Sequence, residues 1–406
     1  MLDDAMALLD AHLAAPAGHG NQRLHYRGVV ATLLCAAFDP AVRSLRTMDD
    51  LSLFSSVRQF TGVDRVARST LSDALARFDP AALRPVIEAL QKQMPPMGRL
   101  DGDTASITRK IIAGDGSWWN LAGEVTHALQ MRRGNSERLQ SRVRLNLQLD
   151  VDTWLPQRFD VSLAGDGSEA GAFIRNLQSG VVYVVDRGST ELAEVNFVHF
   201  GFINAVLAKG SNLVLRLKEG VQFAAEETSA LSRKDREQGI RLDQTGRLSG
   251  PTSAGNRGRR GRTGTPPAAL LRRVEVWDEK NNGALILLTD LLDVPAYVVA
   301  ALYRLRWQIE LFRGTRLRVG LKVLANFDHL VSQSAGGITT QFHVAVLMTL
   351  LIHLHTGKRV SKYALLWVGW VAGGRAEPEQ MAEALARHER ERELERKRRA
   401  KKPECK

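Results

Sequence analysis

Apolar residues in the first hundred positions recur at intervals of three and four, the spacing that predicts amphipathic helices. Two such sets are Val29, Leu33 and Ala36, and Leu71, Leu75 and Phe78. We therefore predict a helical domain over residues 1–98, which ends in the helix-breaking sequence MPPMG. Within it, residues 66–80 carry a helix-start signature at Ser69 or Thr70. This helix is either the second half of a DNA-binding helix-turn-helix or part of a helical packing domain.

From about residue 109 the pattern becomes that of strands. The apolar run in KIIAGDGSWWNLAG (110–123) predicts a strand that ends at Asp115. Residues 141–153 alternate between apolar and polar, which predicts a strand buried on one face. The apolar run VVYVV (181–185) is typical of a strand buried on both faces, and it stops at Asp186. The other elements predicted here are a strand over 155–165, a short helix over 168–180 ended by Gly180, a helix over about 190–208 and a strand over 211–220.

Residues 244–274 contain no acidic residue and seven arginines, which are Arg247, Arg257, Arg259, Arg260, Arg262, Arg272 and Arg273. We interpret this segment as a flexible basic loop of roughly 25 residues, a length that is usually functional or disordered. The turn sequence Asn282-Gly283 predicts a β-hairpin, and a long helix is expected after Pro295. Helical patterning continues to about residue 372. The charged tail 387–406 is either a solvated helix or a disordered arm.

The chain has 56 Lys and Arg against 44 Asp and Glu, a formal net charge of +12. An excess of this size indicates a polyanionic partner, most often nucleic acid. Cys35 and Cys405 lie far apart and outside any His/Cys cluster, so we expect no zinc site or disulfide framework. The N-terminus lacks the pattern of a signal peptide, and the apolar run 343–354 predicts a buried helix because it is too short to span a bilayer. We therefore expect a cytoplasmic protein with no membrane partner.

Three carboxylates stand out by their positions. Asp115 and Asp186 close predicted strands, and Glu310 lies on the late helix within the basic stretch YRLRWQIELFRGTR (303–316). An acid that closes an apolar strand is costly unless it is used or paired. The order strand–strand–strand–helix–strand–helix–strand, with acids on the first and fourth strands and a final helix, is the layout of a ribonuclease-H-like α/β fold. Three carboxylates would suit two Mg²⁺ ions about 4 Å apart, which prefer oxygen ligands.

Four short sequences resemble those of the DDE transposases of the bacterial insertion sequence 4 family. They are GDGS (114–117), VVDRGS (184–189), LVLRLK (213–218) and YRLRWQIELF (303–312). In the last of these, Tyr303, Arg306 and Glu310 keep the spacing of the family's Tyr-(2)-Arg-(3)-Glu-(6)-Lys signature, and Trp307 and Ile309 also match. The similarity covers roughly residues 110–320. The family carries a β-rich insertion before its glutamate, and residues 219–292 fit that description.

The resemblance implies a role for each matched residue. Asp115, Asp186 and Glu310 would be the catalytic triad, which binds two Mg²⁺ ions, with Mn²⁺ as a substitute. The DNA-binding residues would be Tyr303, Arg306, Trp307, Arg313, Arg316, Arg187 and Arg216. On a helix, Tyr303, Arg306, Trp307 and Glu310 share one face, which would offer a metal ligand and phosphate contacts together. Trp277 or Trp307 would stack on an unpaired base.

These residues also have purely structural explanations. A core position is the commonest fate of a helical tryptophan such as Trp307, and Arg306 is placed to pair with Glu310 as an i,i+4 salt bridge. Trp118 and Trp119 are expected to pack. Five nearby acids rank below the three candidates because they flank turns, and these are Asp150, Asp152, Asp160, Asp166 and Glu169.

Two positions depart from the family pattern. Ser189 stands where the second element usually has an aromatic residue. The lysine expected seven residues after Glu310 is Leu317. Arg316 stands one position short, and Arg313 lies about 60° from Glu310 on an ideal helix, so one of these arginines would take the place of the lysine. Arginine and lysine are not equivalent at a phosphate.

The resemblance implies a transposase that cleaves DNA at transposon ends and transfers the strands to a target. It would bind double-stranded DNA at the terminal inverted repeats of its element and at the target, and it would act as a homodimer, associated with the bacterial nucleoid when on DNA. Two alternatives stay open, an impaired remnant that binds DNA without cutting and a ribonuclease-H-like nuclease without strand transfer. The expected domains are 1–98 (N-terminal helical), 109–218 (first part of the core), 219–292 (β-rich insertion with the basic loop), 293–372 (last core helices and C-terminal helical region) and 373–406 (charged tail).

Overall fold

The computed structural model forms two compact units, one of residues Met1–Pro95 with Arg313–Lys406 and the other of Pro96–Phe312. The residues that the structure describes are 2–13, 24–39, 41–95, 102–121, 125–132, 139–164, 169–186, 200–217, 221–249, 265–279, 282–307, 330–357, 361–372 and 374–401.

The first unit is helical. Its helices, numbered along the chain, are α1 (Leu2–His12), α2 (Tyr26–Phe38), α3 (Leu45–Leu51), α4 (Ser55–Thr61), α5 (Arg68–Arg77), α6 (Arg84–Lys92), α11 (Ala335–Thr356), α12 (Lys362–Ala372) and α13 (Pro378–Lys401). Helix α11 packs against α2, α5 and α6. The Tyr26 hydroxyl and the Thr340 hydroxyl are hydrogen-bonded inside this core at 3.3 Å. The predicted helical character of residues 1–98 is therefore present in the described residues.

Helix α11 is buried around most of its circumference, which confirms the buried helix predicted from the apolar run at 343–354. It is long and apolar enough to cross a membrane by length and composition, with a mean hydropathy of 1.5. However, 83% of its apolar window is buried inside the protein. Core helices of soluble proteins have the same character, so this helix is weak evidence for a membrane span.

The start of α5 differs from the prediction. The N-cap residue is Ala67, which offers no side-chain cap, so Ser69 and Thr70 lie inside the first turn. The carboxylate of Asp49 on α3 instead accepts the Arg68 backbone N–H at 3.2 Å. The cap therefore comes from another helix, and a local sequence signature could not reveal it.

Residues 387–401 continue helix α13, whose charged side chains are mostly exposed. Of the two alternatives for the tail, the described part is thus the solvated helix. Where the tail begins, the centre of the His388 ring lies 4.4 Å from the centre of the Tyr363 ring on α12.

The second unit is built on one large mixed sheet. Its strands are β1 (Ile111–Asn120), β2 (Leu129–Arg132), β3 (Leu139–Asp150), β4 (Leu155–Ser162), β5 (Val182–Val185), β6 (Asn212–Arg216), β7 (Phe223–Thr228), β8 (Ile240–Leu248), β9 (Leu271–Asp278) and β10 (Gly283–Thr289). The strand order is β2-β3-β1-β5-β6-β10-β9-β8-β7, and β4 also pairs with β3. Strand β5 is parallel to β1 and β6, whereas β1 and β3 are antiparallel. The predicted mixed α/β class is confirmed.

Helices cover both faces of this sheet. Its helices are α7 (Glu169–Arg175), α8 (Phe200–Ala208), α9 (Arg233–Glu237) and α10 (Ala296–Leu305). Phe173 of α7 and Phe202 of α8 join the core cluster with Tyr183, Val185 and other strand residues. Helix α10 packs on β5, β6, β9 and β10. Helix α7 ends at Arg175, short of Gly180, whose φ of +70° places it in the turn before β5.

Strand β3 is buried on both faces, so the expectation of a half-buried strand is wrong. Its polar residues Arg144, Asn146, Gln148 and Asp150 are each 5% exposed or less. They remain polar because they find partners inside the protein. Asn146 donates a hydrogen bond to the Ser162 hydroxyl at 2.8 Å, and Gln148 donates to the Asn176 carbonyl at 3.3 Å. Alternation reports polarity and not exposure.

The segment predicted as a flexible basic loop is in part regular strand. Arg272 on β9 forms a buried pair with Asp243 on β8, at 2.6 Å between Nη2 and Oδ2. Arg247 on β8 pairs with Glu226 on β7. The acids that balance these arginines lie outside the acid-free segment, which is why the sequence made it appear unpaired. Residues 250–264 lie outside the described residues. The hairpin predicted at Asn282-Gly283 is confirmed between β9 and β10.

Strands β7 to β10, which extend the sheet beyond β6, are called the added strands below. The short helix α9 lies between β7 and β8 and contacts the start of α10. Asp235, which is 6% exposed, accepts a hydrogen bond from the Ser232 N–H that precedes α9. Its other oxygen accepts the N–H of Tyr297, in the first turn of α10, at 2.9 Å. One carboxylate therefore caps two helices. Arg272 adds hydrogen bonds to the carbonyls of Leu291 and Val294, just before α10.

Candidate active site

The parallel pairing of β1 and β5 brings two predicted site residues together. The register pairs Gly114 with Val185, so the next residues on the two strands, Asp115 and Asp186, lie side by side. Paired residues of neighbouring strands point to the same face, and such strands are about 4.8 Å apart. Both aspartates thus present their carboxylates to one face at the carboxyl end of β5.

Asp115 does not end its strand, contrary to the prediction. Strand β1 continues to Asn120 because β3 pairs with it over the whole of that length. Only the partner on its other side, β5, ends at Val185. The prediction for Asp186 is confirmed, because this residue directly follows β5. Asp115 is therefore a mid-strand residue at the point where one neighbouring strand stops.

Gly114 explains how a helix packs so tightly behind this site. A Cβ atom at this position would lie 2.5 Å from Cε1 of Phe173 on α7 and 3.0 Å from Cγ1 of Val185. Since neighbouring residues of a strand point to opposite faces, Asp115 points away from α7. The aspartates are thus on the face opposite to α7.

Helix α10 brings two residues of the predicted signature to Asp186. The Tyr303 hydroxyl donates a hydrogen bond to Asp186 Oδ1 at 3.0 Å. Nη2 of Arg306 lies 3.7 Å from Asp186 Oδ2. Arg306 is 8% exposed, and its guanidinium also lies 5.6 Å from the centre of the Tyr303 ring. The two oxygens of one carboxylate therefore face a phenol and a cation from consecutive turns at the end of α10.

Electrostatics keep the Tyr303 hydroxyl protonated. Burial and the negative charge of Asp186 raise the pKa of this hydroxyl, against the opposing charges of Arg306 and Arg216. Arg216 is close because β6 pairs with β5 in parallel. Extending the Val185–Leu215 pair by one residue places Arg216 beside Asp186. The predicted residues Asp115, Asp186, Arg216, Tyr303 and Arg306 thus gather at one place.

The tryptophans singled out in the sequence differ in their exposure and in their contacts. Trp307 is 40% exposed, which argues against the core explanation, and its ring centre lies 5.9 Å from the Arg306 guanidinium carbon. Trp119 is 6% exposed and packs, as expected. The Trp118 ring lies 5.3 Å from the Arg144 guanidinium. Trp277 on β9 lies 5.4 Å from the guanidinium of Arg241.

Four predicted site residues lie outside the described residues. They are Glu310, Arg313, Arg316 and Arg187. Helix α10 ends at Leu305, with Arg306 as its C-cap. The shared helical face of Tyr303, Arg306, Trp307 and Glu310 therefore stays a prediction, as does the choice between Arg313 and Arg316 in place of the lysine. No cluster of three metal-binding His, Cys, Asp or Glu residues occurs among the described residues.

One of the five lower-ranked acids proves to lie next to the site. The Glu169 carboxylate contacts Gly116, the residue after Asp115, and the charge of Asp186 acts on it. Asp160 instead pairs with Arg175 at 3.0 Å, and Asp150 caps the turn after β3. Asp166 lies outside the described residues. The sequence signal for Glu169 was the glycine on each side of Asp115, because paired glycines indicate a close approach by another element.

The comparison with known families assigns the chain. A sequence model described as the transposase DDE domain matches residues 110–326, which is more than half of the 406-residue chain. The chain belongs to this family. The match spans Asp115, Asp186 and Glu310, and it confirms the predicted membership of the DDE transposases. DDE transposases act on DNA and use divalent metal ions. The expectations of a DNA partner and of a divalent metal cofactor are therefore met at the level of the family.

Other comparisons add little to the assignment of this transposase. No curated protein matches the chain. Among solved structures, endonuclease V from Bacillus subtilis matches with 12% identity over 56% of this chain and 84% of its own. The TM-score of 0.22 is too low for any conclusion about the fold.

Proposed function

We propose that this transposase catalyses metal-dependent cleavage and strand transfer of DNA at transposon ends, by cut-and-paste transposition. The observation that carries the proposal is the register of β1 and β5, which sets Asp115 beside Asp186 within a transposase DDE domain. Two adjacent carboxylates at a strand end, with arginines around them, suit a phosphodiester better than any uncharged substrate.

We further propose that the core is ribonuclease-H-like. The support is the order of elements β1, β3, β4, α7, β5, α8, β6 and later α10, with acids on the first and fourth core strands. Strands β7 to β10 extend this sheet beyond β6 and correspond to the β-rich insertion at 219–292. The domain boundaries 1–98, 109–218, 219–292, 293–372 and 373–406 belong to the same proposal.

The proposed metal ligands are Asp115, Asp186 and Glu310. The two described carboxylates fit a hard divalent cation, since Mg²⁺ prefers carboxylate oxygens and Mn²⁺ accepts them. Two bound ions would activate the attacking water or 3′-hydroxyl and stabilise the leaving oxygen. The residues of the chain hold the carboxylates in place. Tyr303 fixes one oxygen of Asp186, and the Arg306 charge lies near the other.

The proposed DNA contacts surround these carboxylates. Arg216 and Arg306 supply positive charge near Asp186, where a DNA phosphate would meet the metal ligands. The exposed face of Trp307 suits stacking on an unpaired base. Tyr303 would offer its hydroxyl to a phosphate once the ligands are engaged. Arg187, Arg313 and Arg316 complete the proposed DNA-binding set.

The remaining finer proposals follow the resemblance to the insertion sequence 4 group. The partners would be terminal inverted repeats and target DNA, bound by a homodimer in the bacterial cytoplasm. The N-terminal helices, with exposed Arg65 and Arg68 near the start of α5, would contribute to DNA binding.

Cleavage of end DNA tests the function directly. The protein is incubated with a duplex carrying the inverted repeats that flank its own gene, with Mg²⁺ or Mn²⁺. Cleavage at the ends and joined products are expected with the wild type. Asp186→Asn should abolish both while DNA binding is retained. Asp160→Asn is the matched control, because Asp160 belongs to the same unit but pairs with Arg175 and is not a proposed metal ligand.

The alternatives predict different results. Binding without cleavage under either metal would overturn the proposal in favour of a DNA-binding remnant. Cleavage without joined products would indicate a nuclease of the same fold. Cleavage that survives Asp186→Asn would show that the chemistry lies elsewhere.

A further inference from the structure

Glu169, the first residue of α7, is a buried carboxylate with no assigned role. It is 7% exposed and lies directly behind β1. Burial raises the pKa of this carboxyl, while the charge of Arg144 and a hydrogen bond from the Gly116 backbone N–H lower it. A buried carboxylate is costly to keep unless its partners are specific. Its partners here are a strand backbone and one arginine.

The hydrogen bond from Gly116 lies where the parallel ladder stops. Val182 N donates to Lys110 O at 2.9 Å, so even-numbered residues of β1 turn their backbone groups toward β5. That ladder ends at the pair of Gly114 and Val185, because β5 ends there. The N–H of Gly116 therefore points past the end of β5, and the Glu169 carboxylate accepts it. The Glu169 carboxylate thus accepts the hydrogen bond that a longer β5 would have accepted from Gly116.

The fit between Glu169 and Gly116 is tight. A Cβ atom on Gly116 would lie 2.6 Å from Oε1 of Glu169, and 3.3 Å from Cδ of Arg144. Only glycine leaves this space. The side chain of Arg144 thus lies on the same side of β1 as Glu169, and its charge is the largest favourable influence on that carboxylate. Gly116, Glu169 and Arg144 therefore form one close-packed contact.

We infer that Glu169 is a positioning residue for the reaction, which fixes the β1 backbone at Gly116 and so holds Asp115 beside Asp186. The inference rests on the proposed function, because it assigns Asp115 a metal to bind. Asp115 lies between two glycines that carry no side chain of their own, and β3 pairs with this part of β1 at its other edge. With β5 ending at Val185, the anchors on the β5 side are the Gly114 pairing and Glu169.

Hydrogen exchange of the peptide that spans Gly116 tests the anchor without any activity. Glu169→Ala should speed exchange of the Gly116 amide by about tenfold, the usual effect of losing one hydrogen bond. Glu169→Gln should restore protection, since its amide oxygen accepts the same bond. Glu237→Ala, at an exposed position of α9, is the control and should change nothing at Gly116.

A double-mutant cycle tests the tight fit. Gly116→Ala alone should slow cleavage strongly, because its methyl group displaces the Glu169 carboxylate. In a Glu169→Ala background the same change should cost much less, so the two effects will not add. Additive effects would show that the two residues do not act on each other and would overturn the inference.

Metal binding separates positioning from ligation. Binding of Mn²⁺, followed by electron paramagnetic resonance, should weaken about tenfold in Glu169→Ala and recover in Glu169→Gln, as expected for residues that orient ligands. The Mg²⁺ concentration for half-maximal cleavage should shift in parallel, with little change in KM for DNA. Loss in Glu169→Gln as complete as in Asp186→Asn would make Glu169 a ligand and overturn the positioning role.

Failure of the proposed function looks different from failure of this inference. A wild type that binds Mn²⁺ but never cleaves DNA would remove the function, while the exchange and Mn²⁺ results would still decide the role of Glu169. Unchanged Gly116 exchange and Mn²⁺ binding in Glu169→Ala, with normal cleavage by the wild type, would overturn the inference alone.

Discussion

The Tyr303 hydroxyl donates a hydrogen bond to Asp186 at 3.0 Å, across 117 positions of sequence. Both residues belong to motifs that sequence resemblance singled out separately, one at a strand end and one on a late helix. The hydroxyl of the tyrosine from the second motif therefore contacts the acid of the first. Arg306 lies 3.7 Å from the other oxygen of the same carboxylate. Asp186 is thus held before any DNA or metal ion arrives.

Tyr303→Phe should therefore lower the rate of end cleavage. The hydrogen bond to an ionised carboxylate contributes about 1.5–3 kcal/mol, which corresponds to about 10- to 100-fold in rate if it serves the transition state. Single-turnover cleavage of end DNA measures the effect. Tyr363→Phe, in the helical unit, is the matched control and should keep the wild-type rate. An unchanged rate in Tyr303→Phe would show that the hydroxyl does not orient Asp186 for the reaction.

Asp243→Asn should destabilise the sheet unit strongly. It leaves Arg272 buried without its charge partner, and both side chains are less than a tenth exposed. Breaking a buried pair in this way costs about 3–5 kcal/mol. Chemical denaturation followed by circular dichroism measures the loss of unfolding free energy. End cleavage should fall as well, because Arg272 also binds the carbonyls that precede α10.

The exposed pair of Arg247 and Glu226 is the matched control for that prediction. Like the buried pair, it joins an arginine to an acidic residue on the neighbouring strand, but both side chains are 51% exposed. Glu226→Gln should cost at most about 1 kcal/mol, because water screens such pairs. Equal losses in the two variants would contradict a role for burial.

Asp49→Ala should destabilise the helical unit modestly. Asp49 accepts the first N–H of α5 and also pairs with Arg65 at 3.0 Å, which lowers the pKa of its carboxyl. The loss of an N-cap costs about 1 kcal/mol. A fall in the thermal midpoint at pH 7 measures it, and Asp64→Ala, an exposed acid nearby, should leave the midpoint unchanged. An Asp49→Ala variant that kept the wild-type thermal midpoint would mean that water caps α5 equally well.

His343 makes the helical unit sensitive to acid. Burial lowers its pKa from 6.5 to about 4, and its Nδ1 lies 2.8 Å from the Thr339 carbonyl. Arg84 further lowers this pKa, while Asp79 raises it. Because the folded pKa is depressed, the stability is fully present above pH 6.5 and is lost as pH falls toward 4. The loss is about 3 kcal/mol, since each pKa unit is worth about 1.4 kcal/mol.

A variant comparison isolates this histidine from the carboxylates that titrate nearby. His343→Gln should flatten the fall in unfolding free energy between pH 6.5 and 4.5. His355→Gln, at an exposed position on the same helix, should keep the wild-type profile. Parallel profiles in all three proteins would show that His343 does not contribute to acid sensitivity.

Residue patterns predicted much of the fold because hydrophobic burial follows them locally. The apolar runs at β5 and α11 gave their elements directly, and the turn at Asn282-Gly283 fixed a hairpin. Strand β3 shows the limit, since its alternation suggested one wet face. Two of its polar residues, Asn146 and Gln148, instead donate hydrogen bonds to Ser162 and Asn176 in other segments, and such partners are invisible in a local pattern.

The candidate site was predictable where a motif carried it and not where packing did. Asp186 was found from its place after an apolar strand. Asp115 was found too, but with the wrong position in its strand, because the longer pairing with β3 is a tertiary fact. Glu169 was set aside as a turn acid. The role that we propose for it depends on where β5 ends relative to β1, and only the assembled sheet shows that relationship.

The double cap at Asp235 bears on the order in which the chain can assemble. Helix α10 begins with a backbone N–H that is satisfied from 62 positions earlier, inside the added strands. During synthesis those strands emerge before α10, so the Asp235 carboxylate is already in the chain when α10 emerges. A shortened chain that joined β6 directly to α10 would lose this acceptor and the packing of α10 on β9 and β10. The strands beyond β6 thus supply a helix cap and a packing surface for α10, the helix that carries Tyr303.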